Sequence, residues 1–352
     1  MNPHPTFAAR ARGWLARLAG SGQSATAPRC DPALLRRAIE QVVDGVDPRL
    51  HAVPGYARKL APAVERTIAY FIECGQWLSA PVEFSARSWA GDPLVRTLFA
   101  SAAELQRFFS DDPGLRAYFH DHPLADEVYI GLGVTRHERR AFGVAMRGEV
   151  IQREVPQTVI SFSDYRLFGA CDNEQQLRQN IEQRGLGFLI GEALERIVEV
   201  QGSAPGHAHE KQLLDLRLRG LMQKRNALDS LYNESNAGLD DEIAMLRTGL
   251  MREREALAPL SVKTTMLDDY IAGISVVLTD PERYVKRETV RLRINRMNIK
   301  VESPDEPADE LTFSEVTIGG RPPRAVVLSR FPRSDLLAAR TRLDEAQQSL
   351  RL

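Results

Sequence analysis

The stretch that decides the reading is residues 210–257, EKQLLDLRLRGLMQKRNALDSLYNESNAGLDDEIAMLRTGLMREREAL. Leu214, Leu218, Leu221, Leu228 and Tyr232 fall at alternating steps of four and three, with Arg225 in the one polar slot. Leu239, Ile243, Leu246, Leu250 and Leu257 repeat the spacing, with Glu253 in the polar slot. Such steps place side chains along one seam of a helix, because 3.6 residues make a turn. Between the runs lie Asn233, Glu234, Ser235, Asn236, Ala237 and Gly238, and Gly and Asn tolerate the left-handed conformation that ends a helix. Asp240, Asp241 and Glu242 then stand where the first turn of a second helix favours negative charge. The spacing predicts two antiparallel helices of roughly 20 residues, each about 30 Å long. The competing reading is one continuous helix with a glycine in it. Each arm holds only about three heptads, short for a coiled coil standing alone, so at least one face should be covered by the body or by another chain.

Composition bounds the rest. A chain of 352 residues points to two or three domains, or one with an elaboration. Its hydrophobic content of 43% suffices for a sizeable core. The formal net charge of -1 gives no global pull toward nucleic acid or anionic membrane, although local patches still can. Cys30, Cys74 and Cys171 are far apart and odd in number, which argues against a disulfide framework or structural zinc and for a reducing, cytoplasmic home. No apolar run reaches the roughly 20 residues of a membrane span; residues 271–278 come nearest.

Residues 1–30 carry Arg10, Arg12, Arg17 and Arg29 and no acid. Phe7, Ala11, Trp14, Leu15 and Leu18 would share one face of a short helix, so peripheral membrane contact through residues 7–18 is one reading. A docked or frayed basic tail followed by a Gly/Ser/Ala/Thr linker at 20–28 is the plainer one.

Five Asp-Pro pairs begin at Asp31, Asp47, Asp92, Asp112 and Asp280. Asp caps a helix N-terminus and Pro at the first position loses no hydrogen bond there, so several helices should start at these pairs. The patterning predicts helices over 32–44, 58–78, 93–109 and 113–119, with Pro62 tolerated if it lies in a first turn. Phe142, Val144 and Met146 then alternate into a turn at Arg147-Gly148, and residues 158–162 are rich in β-branched and aromatic types, as strands are. A helix over 173–200 should break near Gly185, where Gly185, Gly187 and Gly191 interrupt it. Thr264 to Leu278 should be helical. Val290, Leu292 and Ile294 alternate, and the parity flips near Arg296, as a bulge or bend would make it. Residues 302–310 form an acidic, Pro-containing loop. Gly319-Gly320 marks a hairpin turn, 325–328 a returning strand, and 334–350 a polar amphipathic helix.

These readings combine into an α+β chain that is mainly helical: an N-terminal helical bundle, a small antiparallel sheet and an inserted antiparallel helical hairpin. The expected organisation is a basic tail and flexible linker at 1–30, a helical bundle at 31–128, and an antiparallel sheet with flanking helices from 129–172 plus 260–352. Residues 173–259 form a helical segment that includes the hairpin 210–257.

Signatures of chemistry are sparse. His120-Asp121-His122 lacks a third ligand at a recognisable spacing, and His207-Ala208-His209 falls in a Gly-containing loop. In Gly185-Leu186-Gly187-Phe188-Leu189-Ile190-Gly191 the third glycine is one residue late for a dinucleotide fingerprint, and helix precedes it where strand is required. Gly-x-Ser-x-Gly, Walker A and His-Glu-x-x-His are absent from the sequence. Ser161, Ser163, Asp164 and Tyr165 at a strand end, or His137-Glu138, would suit a small polar site, but a strand-end turn is the plainer reading. Neither catalytic residues nor a cofactor or metal is assigned. The leading expectation is a cytoplasmic, non-enzymatic interaction or scaffold protein that binds a protein partner or a second copy through Leu239, Ile243, Leu246 and Leu250. A second is nucleic-acid association, with Arg287, Arg291, Arg293 and Arg296 contacting phosphates. Against it stands the acidic loop beside those arginines, which would neutralise them as cross-strand ion pairs. A third is an enzyme whose site is assembled from distant residues.

Overall fold

The computed structural model of the chain describes residues 31–147, 150–201, 207–228, 231, 237–254, 264–304 and 306–338. The basic tail at 1–30, the Arg147-Gly148 turn beyond Arg147, the seam residues Tyr232 and Leu257, and the helix expected beyond 338 lie outside them.

All five Asp-Pro pairs open a helical element. Asp31 accepts from Ala33 N at 2.9 Å to start α1 (Pro32–Val46), and Asp47 accepts from Arg49 N at 3.0 Å to start a 3-10 turn (Pro48–Ala52). Asp92 and Asp112 do the same for α4 (Pro93–Leu98) and α6 (Pro113–Asp121). These caps satisfy amides that a helix start leaves without partners. Asp280 precedes a 3-10 turn without capping it. The helix expected over 93–109 is two, because Ser101 caps α5 (Ala102–Asp111) by accepting from Glu104 N at 3.1 Å. Pro62 lies inside α2 (Tyr56–Trp77) and beyond its first turn, and the helix runs through it. A short α3 (Ala86–Gly91) was not apparent in the sequence.

The strands are β1 (Val82–Glu83), β2 (Glu127–Arg147), β3 (Val150–Cys171), β4 (Val285–Ile294), β5 (Asp309–Ile318) and β6 (Arg324–Pro332). They form one curled sheet in the order β3-β2-β6-β5-β4, antiparallel throughout, with β1 added parallel to β6. Gly319 and Gly320, both at positive φ, turn the chain after β5, with Arg321 N donating to Ile318 O at 3.1 Å. The parity flip near Arg296 is a bend, made by a turn at 295–299, and not a bulge. Asn298 sits at φ 58°, and Asn295 Oδ1 accepts from Met297 N and Ile299 N. Residues 298–300 then cross to the far edge, where Ile160 N donates to Asn298 O and Lys300 N to Thr158 O, both at 2.8 Å. The two edges of the sheet thus meet at one point.

Curling gives the sheet an inside and an outside. Val128, Ile130, Leu132 and Val134 alternate inward with Val290, Leu292, Leu311 and Phe313, and the segment carrying α3 to α6 covers them, with Phe109 of α5 and the linking residues Phe84 and Phe99. Phe162 of β3 touches Phe313 of β5 across this interior, ring centroids 6.0 Å apart. The outer face carries α1, α2, α7 (Glu174–Gln201), α8 (His207–Leu228) and α10 (Thr264–Thr279), packed on Phe168, Val316, Val326 and Leu328. Thr67 Oγ1 donates to Leu278 O at 2.6 Å, and Tyr70 Oη to Val285 O, tying α2 to α10 and β4. The helices of 31–128 therefore divide between the two faces, α1 and α2 outside and α3 to α6 inside, with β1 joining the sheet between them. Among the described residues, the chain between β3 and β4 is mainly helical.

The break expected near Gly185 is absent: α7 runs as a single helix of 28 residues. Its glycines serve close approach. A Cβ at Gly185 would lie 2.5 Å from the Phe71 ring, and one at Gly191 would lie 2.9 Å from Gly220 O of α8. Ser334 lies in a 3-10 turn (Arg333–Asp335) and residues 336–338 are not helical, so the helix expected over 334–350 is not formed among the described residues.

Candidate functional site

The surface formed by α8 and α9 (Ala237–Arg254) is built from two unlike helices. One side of α8 belongs to the body: Leu216, Ala227 and Leu228 are buried in the outer core, and Lys224 Nζ bridges Glu192 and Glu195 of α7 at 2.6 Å each. By contrast, α9 makes its substantial contacts with α8 alone among the described residues. Arg217 meets Glu242 at 2.6 Å and Arg225 meets Asp240 at 3.4 Å. Of the four candidate contact residues, Ile243 is buried, while Leu239, Leu246 and Leu250 are only half-buried. Met245 beside them is 68% exposed.

Of the four candidate phosphate contacts, Arg287 and Arg293 are engaged within the chain. Arg287 lies over the Trp77 ring at 4.4 Å and donates to Glu73 at 2.6 Å. Arg293 donates to the carbonyls of Ser303 and Glu306 at 2.6 and 2.9 Å, holding the acidic loop. Arg291 and Arg296 are exposed.

Residues singled out for chemistry take structural places. His122 stacks on Tyr118 and its Nδ1 lies 2.9 Å from Tyr118 O. His207 and His209 open α8 and are not in a loop. Ser161, Ser163, Asp164 and Tyr165 lie within β3 rather than at its end, since the strand continues to Cys171. His137 Nε2 and Ser163 Oγ are 2.7 Å apart on the exposed ribbon. Among the described residues His137 has no ion-pair partner, and no group of three or more His, Cys, Asp or Glu side chains is placed to hold a metal.

Two charge clusters were invisible in the sequence. Arg324, 3% exposed, donates to the Asp164 carboxylate and to the carbonyls of Asp164 and Gly133. Burial alone would raise the Asp164 carboxyl, but hydrogen bonds and charge from Arg324 and Arg166 hold it below the usual carboxylate range. On the inner face the Arg136 guanidinium holds the buried Glu315 carboxylate at 2.6 Å. Asp164 and Arg324 are 160 residues apart and Arg136 and Glu315 are 179 apart, so no local pattern could announce either pair.

The outer face also encloses a cavity of about 100 Å³ between the end of α2, the start of α7 and strands β4 to β6. Phe71, Trp77, Leu78, Phe168, Val316 and Val326 supply apolar wall. Arg178 anchors one end by donating to Gly75 O and Leu78 O, carbonyls at the C-terminus of α2. Burial raises the Glu182 carboxyl, with Arg178 opposing, and burial likewise raises the Cys74 thiol. Arg287 reaches this wall with one terminal nitrogen on Glu73; the other, Nη1, is buried with no hydrogen-bond partner among the described residues.

No known family, curated protein or solved structure matches the chain. Among the described residues, no helix is long and apolar enough to cross a membrane.

Proposed function

We propose that this is a non-enzymatic, cytoplasmic interaction protein whose α8–α9 helical hairpin joins it to a second copy of itself. The observation that carries the proposal is the isolation of α9, which leaves Leu246 and Leu250 half-uncovered and Met245 exposed. A two-helix unit of this length gains little stability unless its remaining apolar stripe is buried. The charges of α9 select the partner. Asp240 and Glu242 of α9 are taken up by α8, while Asp241 in the first half of α9 and Arg247 in its second are exposed. Two copies of α9 laid antiparallel about a two-fold axis set Asp241 of each toward Arg247 of the other, an isologous contact. The cytoplasmic setting is supported by Cys74 and Cys171 being free thiols.

Sedimentation equilibrium of the full chain tests this. The wild type should be a dimer, and Leu246→Asp/Leu250→Asp should weaken association at least about tenfold, equivalent to roughly 1.4 kcal/mol, with an unchanged circular dichroism spectrum. Both residues are half-buried, so the fold should tolerate the change better than at Ile243. A monomeric wild type, or a dimer indifferent to the double variant, would sink the proposal.

A second reading has one observation in its favour. Beyond its pairing with β6, the β2–β3 ribbon exposes Arg139, Arg140 and Arg153, and Arg296 is exposed in the turn that leads into its bridge with β3. Nucleic acid is the partner such a ribbon would take, its affinity falling with salt. Filter binding at low and raised salt decides it; the absence of retention at low salt ends it.

A further inference from the structure

Helices α1, α7 and α8 leave an open groove of about 420 Å³ between them. Charged residues make up 26% of the chain and are the ordinary choice for such a surface. Here five of the eight lining residues are carboxamides instead: Gln41 on α1, Asn180 and Gln183 on α7, and Gln223 and Asn226 on α8. None of these five side chains makes a hydrogen bond among the described residues, although Asn180 and Gln223 are half-buried. Arg184 is the one charged side chain among the described lining residues, and no aromatic ring joins them. Gly187 contributes only backbone, and a Cβ added there would meet nothing nearer than Gln223 Oε1 at 3.8 Å.

We propose that this groove binds a neutral saccharide of one or two rings, its hydroxyls on the carboxamides of Asn180, Gln183, Gln223 and Asn226, with Gln41 facing them from α1. The chemistry of the wall selects the ligand. A guanidinium or ammonium only donates and an ionised carboxylate only accepts, whereas a carboxamide does both from neighbouring atoms. Such a wall fits an uncharged ligand whose own groups donate and accept side by side, as the hydroxyls of a sugar do. Without a ring to stack on, a nucleobase loses a main source of its affinity. The volume lies within the range of about 300–1,000 Å³ usual for small-molecule clefts. The site shares α8 with the hairpin but uses nothing of α9, so it stands or falls separately from self-association.

Calorimetric titration of the full-length protein with glucose, galactose, maltose and trehalose tests this, with adenosine as the contrasting ligand. At least one of the four sugars should bind saturably, and adenosine at least about tenfold more weakly. Asn180→Leu/Gln223→Met keeps the size of both side chains and removes their polar ends, and should weaken the sugar about tenfold or more. Because neither side chain is hydrogen-bonded within the described protein, its urea midpoint should not fall, which separates a ligand contact from a structural one. A second variant, Gly187→Leu, puts a better helix former at an open position and a side chain into the groove, and should abolish binding without loss of stability. Three outcomes would overturn the proposal: no saturable binding of any of the four sugars, adenosine binding as tightly as the best of them, or sugar binding that survives either variant unchanged.

Discussion

The inner and outer faces of one sheet are packed in opposite styles. Inside, large aromatic side chains fill the space: Phe84, Phe99, Phe109 and Phe331 are all at most 2% exposed, and Phe109 stacks on Phe331 at 4.9 Å and 3°. Outside, helices come together by removing side chains. Gly185 admits the Phe71 ring, Gly191 and Gly220 bring two helix backbones together, and Gly131 makes room for Phe168. Filling by aromatics leaves a dense core with short covering helices. Contact through glycines leaves long helices, a cavity and an uncovered second layer. The difference teaches where a chain of this kind can hold function: interiors packed to crystal-like density have no room for a ligand, so a site must sit where packing is deliberately incomplete.

The contrast can be broken in order of expected effect. Phe109→Ala removes half of a stacked, fully buried pair and should lower unfolding free energy by about 3–5 kcal/mol, read from urea denaturation. A loss near 1 kcal/mol would show that the inner core relaxes as readily as the outer. Asp164→Asn leaves the buried Arg324 without its carboxylate and should cost about 1–3 kcal/mol at pH 7. The sign with pH follows from the depressed carboxyl. Its contribution is fully present above the unfolded value of about 3.8 and is lost as pH falls through the lower folded value, so wild type and variant should converge in acid. Curves that stay parallel down to acid pH would mean that the pair contributes nothing through ionisation. Gly191→Ala should cost about 1 kcal/mol: the gain from a better helix former, near 1 kcal/mol, is outweighed by a Cβ forced to 2.9 Å from Gly220 O. Gly249→Ala, on α9 with nothing within 4 Å of the added carbon, should instead stabilise by about 0.5–1 kcal/mol. If both glycine variants stabilise, the α7–α8 approach is looser than the geometry states.

What the sequence disclosed follows the same division. Local chemistry was legible: the Asp-Pro starts, the Gly319-Gly320 turn, the alternation of β4 and the α+β class all depend on residues a few positions apart. Glycine was misread because its two uses look alike in sequence. Gly185 and Gly191 read as helix breakers, yet they lie inside a continuous helix where another element must come close. The first half of β2 was missed for a related reason, since Gly131 and Gly133 interrupt its apolar run on the outer face while Val128, Ile130, Leu132 and Val134 line the inner one. The seam of 210–257 identified α8 and α9 but not every contact of α8: its Leu221 and Leu228 are buried and its Leu214 and Leu218 half-covered, while Leu216, off the seam, is buried against the body. The cavity left no trace in sequence, because Trp77, Phe168 and Arg287 meet only through the tertiary fold.

The order of strands in the curled sheet has a consequence for the nascent chain. Ile130 of β2 accepts from Ser329 of β6, 199 residues further on. At roughly 5–20 residues per second, the ribosome delivers that partner about 10–40 s after Ile130 has been made. Throughout that interval β2 and β3 can pair with each other, but the second edge of β2 has no mate, and an unpaired strand edge is a template for other chains. Synthesis of this protein therefore passes through a vulnerable interval whose length is set by the segment between β3 and β4, and trimming that segment would shorten the wait.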